Sequence, residues 1–171
     1  AIGHRLAQRR LQRLHLGVYA VGHAQLSPAG RRWAAVLAAG EGAVGSHRTA
    51  AAQWDIRSLS GGTQHVTVPE GNGSRSRRWL RVHRTRLTEA DVTERGGLRV
   101  TTLARTLIDL GDVVRAEHVR RAFIRAEQLR LLYDVRFAPS SIALVSGFSY
   151  SESAPAQAPR WMQPEATIQL R

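Results

Sequence analysis

The chain has 171 residues, a formal net charge of +12 and no cysteine, so it has room for one domain and an appendage but cannot form disulfides or cysteine-based sites. No run approaches the roughly 18 apolar residues that span a bilayer, and arginines interrupt the apolar segment that a signal peptide needs. We therefore expect a cytoplasmic protein without a membrane partner.

The N-terminal segment changes its periodicity within a short distance. Residues 1–8 have the spacing of the end of a short helix. Residues 11–21 alternate with period two, which predicts a strand pair turning at Gly17, with leucines on one side and Arg13 and His15 on the other. A helix followed directly by a basic β-ribbon is typical of a winged helix-turn-helix from its recognition helix onward.

The middle of the chain alternates between helical and strand patterns. Ser27 followed by proline predicts a helix N-terminus, and Gly40 predicts its end. Ser46 and Thr102 stand where they could cap later helices. The other predicted elements are a helix over 47–54, strands over 64–69 and 79–85, a hairpin over 92–101 turning at Gly96-Gly97, and helices over 103–111 and 115–132.

Together these patterns predict an α+β chain in three parts. Residues 1–24 are interpreted as the remnant of a winged helix-turn-helix, and residues 25–135 as a domain with a small mixed sheet flanked by helices. Residues 136–171 hold most of the prolines and many serines, so we expect a poorly ordered tail there. Because the first residue is Ala1 and the only methionine is Met162, we expect a fragment or a processed product.

All 25 basic side chains are arginines. Guanidinium is always charged and pairs bidentately with phosphate. An excess this large indicates a polyanionic partner, most often nucleic acid. The alternatives are an acidic protein partner or a basic surface that serves solubility alone. The positive charge falls in two clusters, one before Glu41 and one between Glu70 and Arg99.

Five strings resemble actinobacterial proteins of the AbiEi type, which are antitoxin-like transcriptional regulators tied to abortive phage infection. The resemblance covers roughly residues 1–135 and depends on the order and spacing of the strings together. The strings are HRLAQRRLQRLHLGVYAVGH (4–23), SPAGRRWAAVLAAGEGAVGSHRTAAAQW (27–54), HVTVP (65–69), LRVHRTRLTEADVTERGGLRVTTLARTLIDL (80–110) and VRRAFIRAEQLRLL (119–132).

This resemblance implies a bacterial DNA-binding transcription regulator in a toxin–antitoxin system for phage defence, without enzymatic activity or a cofactor. Its partners would be double-stranded DNA and a nucleotidyltransferase-like toxin encoded nearby, with no stable toxin complex. Residues 25–135 would be the AbiEi-like domain. Such proteins usually open with a complete winged helix-turn-helix, and many continue into a nuclease domain similar to very-short-patch repair endonucleases, so this copy resembles one truncated at both ends.

Two alternatives to this regulator remain. The chain could be an accessory module of such an endonuclease whose catalytic part is lost, or a non-functional fragment. The sequence also departs from the family pattern at Arg9, where relatives tend to have glycine, and at Leu16, where they tend to have arginine. These departures put the exit of the recognition helix and one wing charge in question.

The first candidate DNA contacts belong to the N-terminal basic cluster. A recognition helix contacts base edges in the major groove, while wing arginines contact phosphates or the minor groove. A solvated basic face without a partner is the alternative. The candidate residues are Arg5, Arg9, Arg10, Arg13 and His15.

A second basic cluster extends across a loop and the predicted strand after it. It could contact phosphates or a partner protein, or it could be a charged strand edge that discourages aggregation. Alternation places Arg81 and His83 on the strand face opposite Leu80. The cluster consists of Arg75, Arg77, Arg78, Arg81 and Arg84, continued by Arg86.

We predict no catalytic and no metal-binding residues. A triad at Ser46-His47 would need an orienting acid that the sequence does not identify, and the histidines lack H-x-H or H-x-x-x-H spacing. Residues 101–109 predict a helix that closes the core, with Arg105 and Asp109 paired on its surface. A contact surface for a toxin or a second copy is the alternative for this helix.

Overall fold

The computed structural model describes residues 11–15, 17–21, 25–59 and 62–132, and it shows an α+β fold. The helix predicted over 1–8, the tail over 136–171 and Arg5, Arg9 and Arg10 lie outside these ranges. The strands are β1 Leu11–His15, β2 Val18–Val21, β3 Val44–Gly45, β4 Gln64–Val68, β5 Leu80–Arg84, β6 Val92–Arg95 and β7 Leu98–Thr101, and the helices are α1 Pro28–Ala39, α2 His47–Gln53, α3 Leu103–Gly111 and α4 Ala116–Gln128.

The predicted mixed sheet is present, with the strand order β5-β4-β3-β7-β6. The pairs β4–β5 and β3–β7 are parallel, whereas β3–β4 and β6–β7 are antiparallel. The central strand β3 was not predicted, because two residues are too few to show alternation. The β6–β7 hairpin turns at Gly96 and Gly97, whose φ values of 56° and 78° favour glycine.

Two apolar layers hold the fold together. Helix α1 packs Ala35 and Ala39 on the sheet face formed by Val66, Val68, Leu80 and Val82. Helices α2, α3 and α4 share a second cluster built around Leu103, Leu107 and Leu110. In the described part of the chain, no helix is both long and apolar enough to cross a lipid bilayer.

The helix ends differ in how they are stabilised. Ser27 caps α1 as predicted, since its Oγ accepts a hydrogen bond from the backbone N–H of Gly30 at 3.1 Å. Ser46 and Thr102 stand at N-cap positions without making a side-chain cap bond. Helix α4 ends at Gln128, four residues before the predicted end, and Arg130 just beyond it has a left-handed φ of 56°.

The β1–β2 hairpin confirms the predicted turn at Gly17, which has φ 76°. The predicted sidedness is wrong. Arg13 pairs with Tyr19 but His15 pairs with Val18, so one residue between them is an extra, bulged residue. The bulge breaks the alternation and places Arg13 and His15 on opposite faces of the hairpin.

Candidate nucleic-acid interface and buried histidine cluster

The loop before β5 folds back along the outer edge of that strand. Arg77 and Leu80 exchange backbone hydrogen bonds of 2.7 and 3.0 Å. The backbone N–H of Val82 donates to Ser76 Oγ at 2.9 Å. The outward-facing backbone groups here are therefore already satisfied, which weakens the interpretation of the second basic cluster as protection for an open strand edge.

Most arginines of the second cluster point to solvent without an acidic partner. Arg75, Arg77, Arg78 and Arg81 are exposed, and within the described ranges none of them forms an ion pair. Arg84 differs, because its guanidinium donates to the backbone carbonyls of residues 72 and 74 and so braces the loop. The loop and the start of β5 together thus hold four exposed guanidinium groups on a defined backbone.

The two basic clusters meet through one aromatic contact. The ring of His15 on β1 stacks on the ring of Trp79, with centroids 3.5 Å apart and planes 10° from parallel. Burial and the nearby Arg77 lower the pKa of His15, which keeps its ring neutral. We therefore expect His15 to position the hairpin rather than to contact phosphate. Arg13, on the opposite face of the hairpin, is exposed.

Removing this stack should loosen the hairpin. In the variant His15→Ala, we expect amide hydrogen exchange in β2 to become faster, because the hairpin loses its aromatic contact with Trp79. Hydrogen exchange followed by mass spectrometry measures this, and exchange in β4 serves as the internal control. Unchanged exchange in β2 would show that other contacts hold the hairpin.

A second site lies inside the fold, where His47, His65 and His83 form a histidine cluster. His47 begins α2, while His65 and His83 stand on the adjacent parallel strands β4 and β5. His65 Nδ1 lies 3.0 Å from His83 Nε2, and the ring of His47 stacks on that of His83 at 3.6 Å. His47 and His65 are buried, and His83 is half-buried.

The histidine cluster is held in its neutral form. Burial, together with the two neighbouring imidazoles and Arg105, lowers the pKa of His47 to about 2. Burial, His83 and nearby arginines lower the pKa of His65 to about 4. The pKa of His83 is also lowered, by burial and by Arg81. Three adjacent neutral imidazoles offer lone pairs rather than charge.

An acidic residue faces the cluster from α3. Asp109 Oδ2 lies 3.9 Å from His47 Nδ1 and is a buried oxygen without a hydrogen-bond partner among the described residues. Its other oxygen accepts a 2.7 Å hydrogen bond from Arg105, which also approaches Asp91 at 3.7 Å. Burial raises the pKa of Asp109. The predicted pair of Arg105 and Asp109 is present, but Asp109 is buried, so the pair is not on the helix surface as expected.

The arrangement around Ser46 is not that of a catalytic triad. Both Ser46 Oγ, at 2.9 Å, and Asp109 approach the same nitrogen of His47, whereas a triad base contacts its nucleophile and its orienting acid through different nitrogens. Ser46 is fully buried and accepts a 2.8 Å hydrogen bond from Thr67 Oγ1. Its hydroxyl therefore joins α2 to β4 instead of capping the helix.

Sequence reasoning missed the histidine cluster. Successive members are 18 residues apart along the chain, and they come from a helix start and two strands. The available signal was that His65 and His83 each occupy the polar phase of a strand that alternates between polar and apolar residues. The parallel pairing of β4 with β5 brings them together. In this register Thr67 lies directly beside His83, so His65 is the next residue of β4 on the same sheet face and a diagonal neighbour of His83.

Two comparisons with known proteins were made. A scan against protein-family models found no match, and a search of curated proteins found no relative.

Proposed function

We propose that this chain binds duplex DNA through an arginine surface made of Arg75, Arg77, Arg78 and Arg81, extended by Arg13 on the outer face of the adjoining hairpin. The observation that carries the proposal is the stack of His15 on Trp79, because it joins the basic hairpin to the arginine-rich loop. Two separate clusters in the sequence thereby become neighbours in the fold.

The chemistry of this surface suits phosphate. Its guanidinium groups are exposed and have no acidic partner in the described ranges, so binding would not first have to break an ion pair. Guanidinium forms bidentate hydrogen bonds with phosphate oxygens, and each phosphate that is neutralised releases counterions from DNA. The affinity should therefore fall steeply as salt increases.

We further propose that the DNA-binding activity serves transcriptional regulation in an antitoxin-like role, in the cytoplasm. The support is the ordered set of strings that resemble AbiEi-type proteins, several of which fall on the described elements α1 to α4. In that role the chain would repress its own operon and act against a nucleotidyltransferase-like toxin without a stable complex. Binding to the gene's own upstream region should then exceed binding to a scrambled duplex of equal length.

The triple variant Arg77→Ala, Arg78→Ala, Arg81→Ala tests the surface. We expect weaker binding to any duplex, and a slope of log affinity against log salt that is shallower by roughly 0.9 per lost phosphate contact. Fluorescence anisotropy at two salt concentrations measures both quantities on the full chain.

A matched control removes the same charge elsewhere. Arg120, Arg121 and Arg125 are exposed on α4, away from the loop and hairpin, and their triple alanine variant changes net charge equally. It should keep the salt slope of the unmodified chain. Equal losses in both triple variants would mean that only net charge matters, and the arginine surface would have to be abandoned as the interface.

A further inference from the structure

We propose that His47, His65 and His83 bind a divalent transition-metal ion of the Zn²⁺ class, with Asp109 positioning His47. This inference does not rest on the DNA-binding proposal, because the histidine cluster shares no residue with the arginine surface. Arg81 of that surface does lower the pKa of His65 and His83.

The first observation is the convergence of ligand atoms. Each histidine offers one ring nitrogen, and the three nitrogens lie within 4.8 Å of one another. Zn–N bonds of about 2.0–2.1 Å in a tetrahedral site set the nitrogens about 3.4 Å apart. The 3.0 Å contact between His65 and His83 is already close to that value. At this distance one of the two neutral rings donates its N–H to the other. To bind the ion, the donor ring would exchange its tautomer through solvent, so that its proton moves to its other nitrogen and both facing nitrogens present lone pairs.

The second observation is the buried carboxylate of Asp109. Its side chain is 4% exposed, its Oδ2 has no hydrogen-bond partner among the described residues, and that oxygen faces His47 Nδ1. The hydrogen-bond partner of His47 Nδ1 is Ser46 Oγ at 2.9 Å. Asp109 would therefore act as a nearby negative charge that favours a proton on Nδ1 and leaves the lone pair of Nε2 for the metal. An unpaired buried oxygen is costly, and polarising a metal-bound imidazole would give it a role.

The backbone fixes the positions of the three ligands. The rings of His47 and His83, which are stacked, would turn about their side-chain torsions to direct their lone pairs at one ion. His65 and His83 are carried by paired strands, and the backbone N–H of His65 donates to Thr49 Oγ1 at 2.7 Å. His47 adopts a left-handed φ of 47°, which is uncommon for a residue with a side chain. Such strain persists where the surrounding structure fixes it, and it is found most often at functional sites.

The ligand chemistry selects the metal class. Neutral imidazole suits Zn²⁺, Cu²⁺ and Ni²⁺, whereas Mg²⁺ and Ca²⁺ prefer oxygen ligands. Three protein ligands leave a fourth tetrahedral place for water or another small ligand. His83, the half-buried member, provides the side from which an ion could enter.

Titration of the chelator-stripped full chain with Zn²⁺ tests the proposal. At about pH 7.5, above the ordinary histidine pKa, we expect one Zn²⁺ per chain by calorimetry and a higher melting temperature with Zn²⁺ but not with Mg²⁺. Co²⁺ should give the visible absorption bands of a nitrogen-ligated tetrahedral ion. Absence of Zn²⁺ uptake, or uptake without any rise in melting temperature, would overturn the proposal.

Three variants locate the ion. His83→Gln alters the least buried ligand and should raise the Kd by at least about 100-fold, while Asp109→Asn should raise it by about 10- to 100-fold without abolishing binding. His118→Gln, on α4, is the control and should leave the Kd unchanged. Thermal melts without metal show that each variant is folded. Tight binding that survives His83→Gln, or that disappears in His118→Gln, would place the ion elsewhere and contradict the proposal.

Discussion

Replacing Leu107 with alanine is expected to lower the free energy of unfolding by about 3–5 kcal/mol, towards the upper end for such a change. Leu107 is fully buried where α2, α3 and α4 meet. Three of the four buried residues that α2 and α4 contribute to this cluster are alanines, and alanine has no side-chain torsion with which to refill a cavity; the fourth is Val119. Urea unfolding followed by tryptophan fluorescence measures the loss.

Leu37 provides the matched control for this prediction. It is also a helical leucine, but its side chain is 59% exposed, so Leu37→Ala should change the free energy of unfolding by less than about 0.5 kcal/mol. Similar effects of the two substitutions would contradict the described core. A melt without cooperativity in the unmodified chain would favour the alternative of a non-functional fragment.

The second large effect is an acid sensitivity created by the histidine cluster. The folded chain keeps His47 and His65 neutral, with pKa values lowered to about 2 and about 4, whereas the unfolded chain protonates histidine near its ordinary pKa of 6.5. As the pH falls below about 6.5, the unfolded state binds more protons, so the free energy of unfolding decreases. At about pH 5 each of these histidines should cost about 2 kcal/mol, or up to about 4 kcal/mol together.

Other charged groups near the cluster also affect the pH dependence of stability, and their contributions must be distinguished from that of the histidines. Arg48, Arg81 and Arg105 lower the histidine pKa values, whereas Asp112 raises that of His83. Asp109 has the opposite effect on stability. Because its pKa is raised in the folded chain, the folded state binds this proton at a higher pH than the unfolded state does, so this group stabilises the fold as the pH falls.

The difference between variants isolates the histidine contribution. His65→Val should flatten the dependence of unfolding free energy on pH by about 1.4 kcal/mol per pH unit below about pH 6. His118→Gln should leave it unchanged. Urea unfolding between about pH 7 and pH 5, with a chelator present, measures both slopes. An equal slope in His65→Val and the unmodified chain would show that His65 is not protected from protonation.

Local patterns in the sequence predicted most of the fold, because each depends on near neighbours in the chain. The serine-proline start of α1 and the paired glycines of the β6–β7 turn identified their elements correctly. What failed depended on how strands pair rather than on the pattern of a single segment. The bulge between Arg13 and His15 and the two-residue strand β3 are set by pairing, and neither has a periodicity of its own.

The candidate sites show the same division. Both arginine clusters were visible as composition, but their junction required the stack of His15 on Trp79, which alternation could not predict. The histidine cluster needed the parallel register of β4 and β5 and the approach of α2 to that face. Ligand spacing along a chain reveals a metal site only when one element supplies several ligands, and here three elements supply one each.

The narrow centre of the sheet has a consequence for how the domain unfolds. Strands β4 and β5 join β6 and β7 only through Val44 and Gly45, so few hydrogen bonds link the two halves. Helices α1 and α2 provide further connections. Ala50 of α2 packs with Leu98 and Val100 of β7 in a third apolar cluster, and Val36 of α1 packs against both this cluster and that of β4 and β5. Thr49 of α2 also accepts a hydrogen bond from the backbone of His65 in β4. Cooperative unfolding of this sheet therefore depends on the two helices that lie across it, and their loss would let each half open separately.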